Sequence, residues 1–287
     1  MVTPAKKKSR TRRVGILAAL ALPILHGCAG HLASKPGVYD AWTEQLTRGD
    51  RSVQVSYVKP ATPRSPVFLI LFATGDAGWW GASGAVFEHM AEKGYYIAAY
   101  NAREVVAPAK KSGNLVEIPA AADAVDAMIV QARRALGLPE TTPVIVTGFS
   151  RGANLVVFTA GVASLQHHLG GAVAIALTRE TDFLRAPAPA DRPPSVQVDD
   201  KGRISTYPVI DRAGSIPFAV IQSKGDKYVP AEESRRLFGP DTPTRRLYEV
   251  NARNHGFSGG REELIRDLDD ALQWIEGTDK TKQEDPG

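Results

Sequence analysis

Cysteine is nearly absent from this sequence: Cys28 is the only one among 287 residues. The chain beyond it therefore has no thiol for a disulfide, a cysteine metal site or a cysteine nucleophile. Acidic residues are missing from the first 27 positions, which hold six of the 35 Lys and Arg residues. The other 29 basic and 31 acidic residues leave the body at about −2, a balance that does not favour a nucleic-acid partner.

Long apolar runs are also scarce. The longest run near the N-terminus, positions 14–25, follows a basic segment and is too short for a conventional transmembrane helix. It ends in Leu-His-Gly-Cys at 25–28, where an aliphatic residue and a small residue before cysteine are typical of bacterial lipoprotein signals. We therefore predict a signal peptide over 1–27 and a lipid anchor on Cys28, which would hold the protein to a membrane on the periplasmic side of the cell envelope. The alternatives are an uncleaved anchor or a plain signal peptide cut nearby.

After a predicted tether and N-terminal segment at 28–50, strand and helix patterns alternate through 51–276. This order indicates an α/β domain, and apolar runs such as 67–72 favour a doubly wound, mostly parallel sheet. A proline-rich stretch at 179–215 interrupts the pattern, and we expect an insertion over the active-site edge of the sheet, with a hairpin turn at 199–202. Residues 277–287 are predicted to be a frayed polar tail. Strands are predicted at 52–58, 67–72, 95–100, 143–147, 172–177, 218–222 and 246–250, and helices at 83–93, 117–136, 151–165, from 231, and 261–275.

A candidate nucleophile lies in Gly-Phe-Ser-Arg-Gly at 148–152, between a predicted buried strand and a helix. The two glycines permit a very tight turn that presents the serine in strained backbone geometry. This context predicts Ser150 as the nucleophile of an α/β-hydrolase fold, with the insertion following the strand after the nucleophile helix. The alternative is a structural strand-to-helix turn in a non-catalytic relative.

In such folds the acid and the histidine follow the serine in chain order, near the ends of later strands. Asp226 follows the strand at 218–222, and His255 follows the strand at 246–250. They complete a predicted Ser-His-Asp triad with Ser150, which implies neither a metal nor an organic cofactor. Asp182, after the preceding strand, is the rival acid.

Four residues near the predicted nucleophile are candidates for transition-state or substrate contacts. The backbone N–H groups of Arg151 and Asp76 are the predicted oxyanion hole. The Asp76 carboxylate is a candidate partner for a substrate ammonium or a cap for its own loop, and the Arg151 guanidinium for a lipid phosphate or a nearby acid. Trp79 and Trp80 are candidates for lining an acyl or headgroup pocket, although one of the two suits the core better.

The stretch Thr-Gly-Asp-Ala-Gly-Trp at 74–79 resembles the Gly-Asp-Gly-Gly-Trp stretch of the bacterial virulence protein family typified by VirJ and AcvB. As in that family, a Gly-x-Ser-x-Gly-Ala elbow follows, at 148–153, and then a His-x-Phe-x-Gly segment, at 255–259. The similarity spans about 67–275. Ala77 in place of glycine and the proline-rich insertion depart from the family pattern, and both bear on substrate specificity.

The resemblance implies an exported hydrolase that removes the amino acid from aminoacyl-phosphatidylglycerol or a similar aminoacylated lipid. A general esterase or lipase of the envelope is the first alternative. A non-catalytic binding component of a secretion or virulence apparatus is the second, because that family also includes proteins associated with such machinery.

Overall fold

The computed structural model describes residues 33–48, 51–107 and 114–284, all in one compact unit. The predicted signal peptide and Cys28 lie outside the described residues. The strands are β1 Tyr39–Arg48, β2 Arg51–Pro60, β3 Leu69–Thr74, β4 Tyr96–Asn101, β5 Val116–Glu117, β6 Val144–Phe149, β7 Leu169–Ile175, β8 Glu180–Thr181, β9 Leu184–Arg185, β10 Ile204–Ser205, β11 Phe218–Ser223 and β12 Arg245–Val250. The helices are α1 Ala82–Glu92, α2 Ala102–Val106, α3 Ile118–Leu136, α4 Arg151–Ala160, α5 Ala163–Gln166, α6 Ala231–Phe238 and α7 Arg261–Glu284, with 3-10 turns at Pro189–Asp191 and Tyr207–Ala213.

Eight strands form the central sheet in the order β1-β2-β4-β3-β6-β7-β11-β12. β2 pairs antiparallel with β1 and β4, and every pair from β4 to β12 is parallel. Because parallel neighbours end at the same edge, the loops after β3, β6, β7, β11 and β12 share one side of the molecule. The predicted fold class, a mostly parallel α/β sheet, is confirmed.

Both faces of the sheet are covered by helices, as the unbroken apolar runs predict. Along β3 the side chains alternate between two cores: Leu69 and Leu71 lie in one, and Ile70 and Phe72 in the other. Helices α3 and α4 contribute to the first core, and α1 and α7 to the second. The central strands are therefore buried on both sides.

The N-terminal boundary differs from the prediction, because the segment assigned to a tether at 28–50 contains the whole of β1. This strand pairs with β2 from Tyr39↔Pro60 to Arg48↔Arg51. Its sequence is polar because it is an edge strand with an exposed row of side chains. Trp42 nevertheless packs 5.4 Å from the ring of Tyr57, so the domain begins at least twelve residues earlier than predicted.

At the C-terminus the domain is also longer than predicted. The predicted frayed tail at 277–287 is helical as far as Glu284, since α7 continues beyond the predicted end at 275. Thr278 Oγ1 donates to the carbonyl of Trp274 at 2.9 Å within this extension. The polar composition of this extension does not prevent helix formation, because adding residues to an existing helix requires no new nucleus.

The predicted insertion lies where expected but has more pairing than a single hairpin. The turn is present: Asp199 N–H donates to the Arg203 carbonyl at 3.0 Å. The strand that follows it, β10, pairs antiparallel with β8, and β9 pairs parallel with β5. The β8–β10 ladder lies within the insertion, and the β5–β9 ladder attaches the insertion to the rest of the domain. Among the described helices, none combines the length and apolar character needed to cross a bilayer.

Candidate active site

Ser150 lies at a strained turn between β6 and α4, with φ 54° and ψ −114°. Left-handed φ is unfavourable for serine, and tight packing maintains it here. A Cβ on Gly148 would lie 2.3 Å from the carbonyl carbon of Gly152, and one on Gly152 would lie 2.0 Å from the Ala73 oxygen. The motif at 148–152 thus has the elbow geometry it predicts.

The three predicted triad residues meet in one hydrogen-bonded chain. His255 Nε2 lies 2.8 Å from Ser150 Oγ, and His255 Nδ1 lies 2.7 Å from Asp226 Oδ2. A carboxylate only accepts, so Nδ1 carries the proton it donates to Asp226 and Nε2 is left to accept from the serine hydroxyl. Asp182, the rival acid, lies exposed in the insertion, and Asp226 is the carboxylate that holds the histidine.

Asp226 is 1% exposed, so its charge requires compensation by donors. Tyr228 N–H donates to Oδ1 at 2.8 Å, and Gln222 Nε2 donates to Oδ2 at 2.9 Å. Gln222 Nε2 also donates to the Val229 carbonyl at 2.7 Å, which orients its amide. The sequence predictions missed Gln222; its signal was a polar residue at the carboxyl end of an otherwise apolar buried strand.

The predicted oxyanion donors lie on two adjacent backbone segments. Arg151 is the first residue of α4, where a helix N–H has no partner within the helix. The loop after β3 lies directly against the elbow, since a Cβ on Gly75 would be 2.8 Å from the Phe149 oxygen and 2.9 Å from Ser150 Cβ. Within the described residues, neither Asp76 nor Arg151 has a hydrogen-bond acceptor for its backbone N–H. Both groups are therefore free to bind an oxyanion beside Ser150.

The side chains of Asp76 and Arg151 pair with each other. Arg151 Nε lies 2.5 Å from Asp76 Oδ1, and Nη2 lies 3.2 Å from Oδ2, a two-point contact. The guanidinium also lies 4.4 Å from the ring centre of Phe183 in the insertion. Of the roles predicted for Arg151, pairing with a nearby acid is the one observed. The Asp76 carboxylate is consequently already engaged.

The two tryptophans have different environments. Trp79 packs into the second core, with ring centres 6.4 Å from Phe72 and 4.8 Å from Phe87, and it does not line the cleft. Trp80 is 75% exposed and does line it. Trp79 is therefore the tryptophan of the two that suits the core, because its ring completes an aromatic cluster under α1.

Ser150 and His255 open into a cleft of about 1410 Å³ at the carboxyl edge of the sheet. The insertion lines one part of the cleft, the loops after β11 and β12 line another, and the segment from the end of β3 to the start of α1 lines a third. Asn154, on α4 one turn from Ser150, also lines the cleft; its Nδ2 donates to Thr178 Oγ1 at 2.7 Å and so joins the nucleophile helix to the insertion. No group of three potential metal-ligating His, Cys, Asp or Glu side chains occurs in the described part of the chain.

No protein-family model matches this chain, and no curated protein matches its sequence. Its structure is similar to solved structures. Est1E from Butyrivibrio proteoclasticus aligns at TM-score 0.55 and 13% identity, covering 81% of this chain and 98% of that one. An α/β serine hydrolase homologue from Coxiella burnetii aligns at TM-score 0.54 and 16% identity, and the alignment covers 79% of this chain and 95% of that one. A Xanthomonas campestris member of the α/β serine hydrolases without a lid aligns at TM-score 0.52 and 17% identity, and the alignment covers 84% of this chain and 96% of that one.

These likenesses cover most of the chain and most of each relative, so the chain has the α/β-hydrolase fold. At such low identity they establish the fold alone. The chemistry of this chain is therefore argued from its own site, and the resemblance to the VirJ and AcvB family stays a prediction.

Proposed function

We propose that this protein is a serine hydrolase that cleaves carboxylic esters. The observation that carries the proposal is the continuous hydrogen-bonded chain from Ser150 through His255 to Asp226. The backbone N–H groups of Asp76 and Arg151, which have no acceptor among the residues that the structure describes, belong to segments beside its serine end. A nucleophile, an oriented base and an oxyanion site in one cleft are the parts that acyl transfer requires.

In the proposed reaction, Ser150 Oγ attacks the ester carbonyl while His255 Nε2 takes its proton. Asp226 keeps the histidine in the required tautomer and stabilises the imidazolium that forms. The N–H groups of Asp76 and Arg151 stabilise the tetrahedral oxyanion, and each such donor contributes roughly 10²- to 10³-fold in turnover. His255 then protonates the leaving alcohol, and water attacks the acyl-enzyme by the reverse sequence of proton transfers.

An aminoacylated phospholipid is the favoured substrate, on the strength of the resemblance carried by 74–79, 148–153 and 255–259. The ammonium of such a substrate needs a carboxylate in the cleft. Asp76 is unsuited, because Arg151 already pairs with it. Asp182 is the better candidate: it is exposed, lines the cleft, and has no basic partner among the described residues. We assign the ammonium contact to Asp182.

Covalent labelling tests the hydrolase proposal. A fluorophosphonate probe should react with the wild-type protein and fail to react with Ser150→Ala, and hydrolysis of short aryl esters should disappear with it. His255→Ala should lose as much as Ser150→Ala, because triad members act as a unit. Equal labelling of wild type and Ser150→Ala would contradict the proposal and favour a non-catalytic binding component.

A variant that should affect only ammonium-bearing substrates tests the proposed substrate class. Asp182→Asn should lower kcat/KM for an aminoacyl-phosphatidylglycerol by about 3- to 10-fold and leave a short neutral ester almost unchanged, since only the first carries an ammonium. Asp200→Asn is the matched control, because it removes an exposed charge from the same insertion outside the cleft. Failure of the wild-type enzyme to cleave any aminoacylated lipid would leave the general esterase as the function.

Export and lipidation complete the proposal. The leader at 1–27 and Cys28 are interpreted as a lipoprotein signal that anchors the enzyme to a membrane in the periplasm-facing envelope, next to a lipid substrate. Mass spectrometry of the mature N-terminus tests this directly. Cleavage at another position without an added acyl mass would contradict the lipid anchor.

A further inference from the structure

The cleft around Ser150 carries more positive than negative charge. Three of its basic residues belong to ion pairs: Arg151 with Asp76, Arg179 with Glu233, and Arg203 with both Glu180 and Asp199. Three more line the cleft without a carboxylate partner among the described residues: Lys227, Arg253 and Arg261. The excess positive charge of the cleft therefore comes from these three unpaired side chains.

These three cations, here called the basic wall, are on segments that contact one another. Lys227 follows Asp226 after β11, Arg253 precedes His255 after β12, and Arg261 begins α7. The two loops touch: Gly225 N–H donates to the Ala252 carbonyl at 2.9 Å, and a Cβ on Gly225 would lie 2.5 Å from the backbone of Arg253. The basic wall is thus built on the same loops that supply the acid and the base of the triad.

The guanidinium groups of the basic wall have donors to spare. Arg253 Nε lies 3.3 Å from the position that a Cβ on Gly259 would take, so the group lies along the backbone leading to Arg261. Arg261 Nη1 donates to the Gly81 carbonyl at 2.8 Å, while its Nε is buried and has no acceptor. A guanidinium carries several N–H donors, so one bond to a carbonyl leaves donors of Arg261 available to an anionic oxygen.

We infer that the basic wall of Lys227, Arg253 and Arg261 is a binding subsite for an anionic oxygen group, a phosphate or a carboxylate, carried by the ester substrate. Guanidinium groups suit this role because they offer several N–H donors in a fixed plane. The inference rests on the proposed ester hydrolase, since it places the anion within the same substrate as the scissile bond. Asp182 lies on the insertion, so a substrate ammonium and this anion bind different walls of the cleft.

Binding to a Ser150→Ala background tests the inference without turnover. Calorimetry compares two matched pairs of ligands. One pair is monobutyrylglycerol and its 3-phosphate, with the charge on the alcohol side. The other is the 4-nitrophenyl ester of suberic acid with its second carboxyl free or methylated, with the charge on the acyl side. We expect the anionic member of at least one pair to bind about 10-fold more tightly, as three partly exposed cations acting together would give. The pair that responds identifies the source of the anion.

When Lys227→Gln and Arg253→Gln are added to the Ser150→Ala protein, the preference for the anionic ligand should fall to about 2- to 3-fold. Both side chains are exposed, so the fold should tolerate the two changes. Arg179→Gln is the matched control, because it removes a cleft cation already paired with Glu233, and the preference should persist. Equal binding of neutral and anionic ligands, or a preference that survives the double variant, would overturn the inference. Hydrolysis by the wild-type protein is scored separately, so loss of the anion preference and failure of the hydrolase proposal give different results.

Discussion

Among single residues, Gln222 has a role that no motif assigns to it. Its amide donates both to the triad carboxylate of Asp226 and to the Val229 carbonyl. One side chain thereby connects the end of β11 to the loop that holds the acid. The orientation of Asp226, and through it that of His255, depends on this second layer of contacts.

The acid assignment predicts a large and selective effect. Asp226→Asn should lower kcat by about 10⁴-fold, because an amide permits the wrong histidine tautomer while keeping the side-chain volume. Steady-state kinetics on a neutral aryl ester measures it. Asp182→Asn is the control, and its kcat on the same ester should stay close to that of the wild type. A large loss in Asp182→Asn with little loss in Asp226→Asn would identify Asp182 as the triad acid instead.

Gln222→Leu should have a smaller effect in the same direction. Removing the amide leaves Asp226 with its Tyr228 and His255 contacts, so we expect kcat to fall about 10- to 100-fold with KM nearly constant. The rate of fluorophosphonate labelling should fall in parallel, because both report the nucleophilicity of Ser150. An unchanged labelling rate would reduce Gln222 to a packing residue.

The triad could be predicted from sequence because chain order and strand ends define it. Ser150, Asp226 and His255 each follow a recognisable buried strand, and parallel pairing brings the strand ends together. The Asp76–Arg151 pair could not be predicted in the same way, since it joins residues 75 positions apart and depends on how the oxyanion loop meets α4. Neighbouring Trp79 and Trp80 also gave no pattern from which to tell the buried ring from the exposed one.

Between elements, Arg151 connects the oxyanion loop, helix α4 and the insertion. Because Asp76 is bound to Arg151 rather than free, Asp76→Asn should lower kcat/KM equally for an aminoacylated lipid and a neutral ester. An exposed ion pair contributes about 0.2–1 kcal/mol, so we expect a loss of about 1.4- to 5-fold. Arg151→Gln should resemble it, and the double variant should lose no more than either single variant. A loss confined to the aminoacylated lipid would return the ammonium contact to Asp76.

Helix α7 carries a carboxyl group whose charge is unfavourable in the folded state. Burial, aided by Glu263 and Asp270, raises the pKa of Asp267 to about 6, against a smaller opposing effect of Arg266. The folded state then binds the proton more tightly than the unfolded one, so stability falls as pH rises from about 4 to about 6. Asp267→Asn should therefore stabilise the protein at pH 7 by on the order of 1 kcal/mol, and much less at pH 4. Urea unfolding at the two pH values measures this, with exposed Glu262→Gln as control; the same gain at both pH values would exclude titration of Asp267 as the cause.

Element boundaries were predicted well for most buried elements and poorly at the two ends of the domain. Strand β7 is an exception, because it is buried throughout and yet begins at Leu169, three residues before its predicted start. Strands such as β3 and β6 are buried on both faces, and their apolar runs mark them within two residues. Strand β1 lies at the sheet edge and α7 ends in a polar segment, so composition there is a poor guide to backbone conformation. Pairing with β2 and continuation of a nucleated helix determine those segments.

At the scale of the whole molecule, a partly buried ion pair joins two segments that lie 212 residues apart in the sequence. Arg64, between β2 and β3, donates from Nε and Nη2 to the two carboxylate oxygens of Glu276 on α7, both at 2.9 Å. The Tyr95 hydroxyl donates to the same carboxylate at 2.6 Å, and the Arg64 guanidinium lies 5.0 Å from the Tyr95 ring centre. Glu276 is only 6% exposed, so these contacts stand in place of its hydration.

Removing that carboxylate should cost far more than removing an exposed one. Glu276→Ala leaves the Arg64 charge and the Tyr95 hydroxyl without their acceptor. Because Arg64 is 26% exposed, the cost should fall below that of breaking a fully buried pair, and we expect a loss on the order of 2 kcal/mol. Glu92→Ala is the matched control, because its pair with Lys35 has side chains 40% and 49% exposed and is expected to contribute little to stability. The free energy of urea unfolding measures both, with an unchanged m-value as the sign that the transition remains two-state. Fluorophosphonate labelling of folded Glu276→Ala should match wild type, since the pair does not line the cleft. Equal losses in the two variants would mean that the domain is held closed by packing of α7 alone.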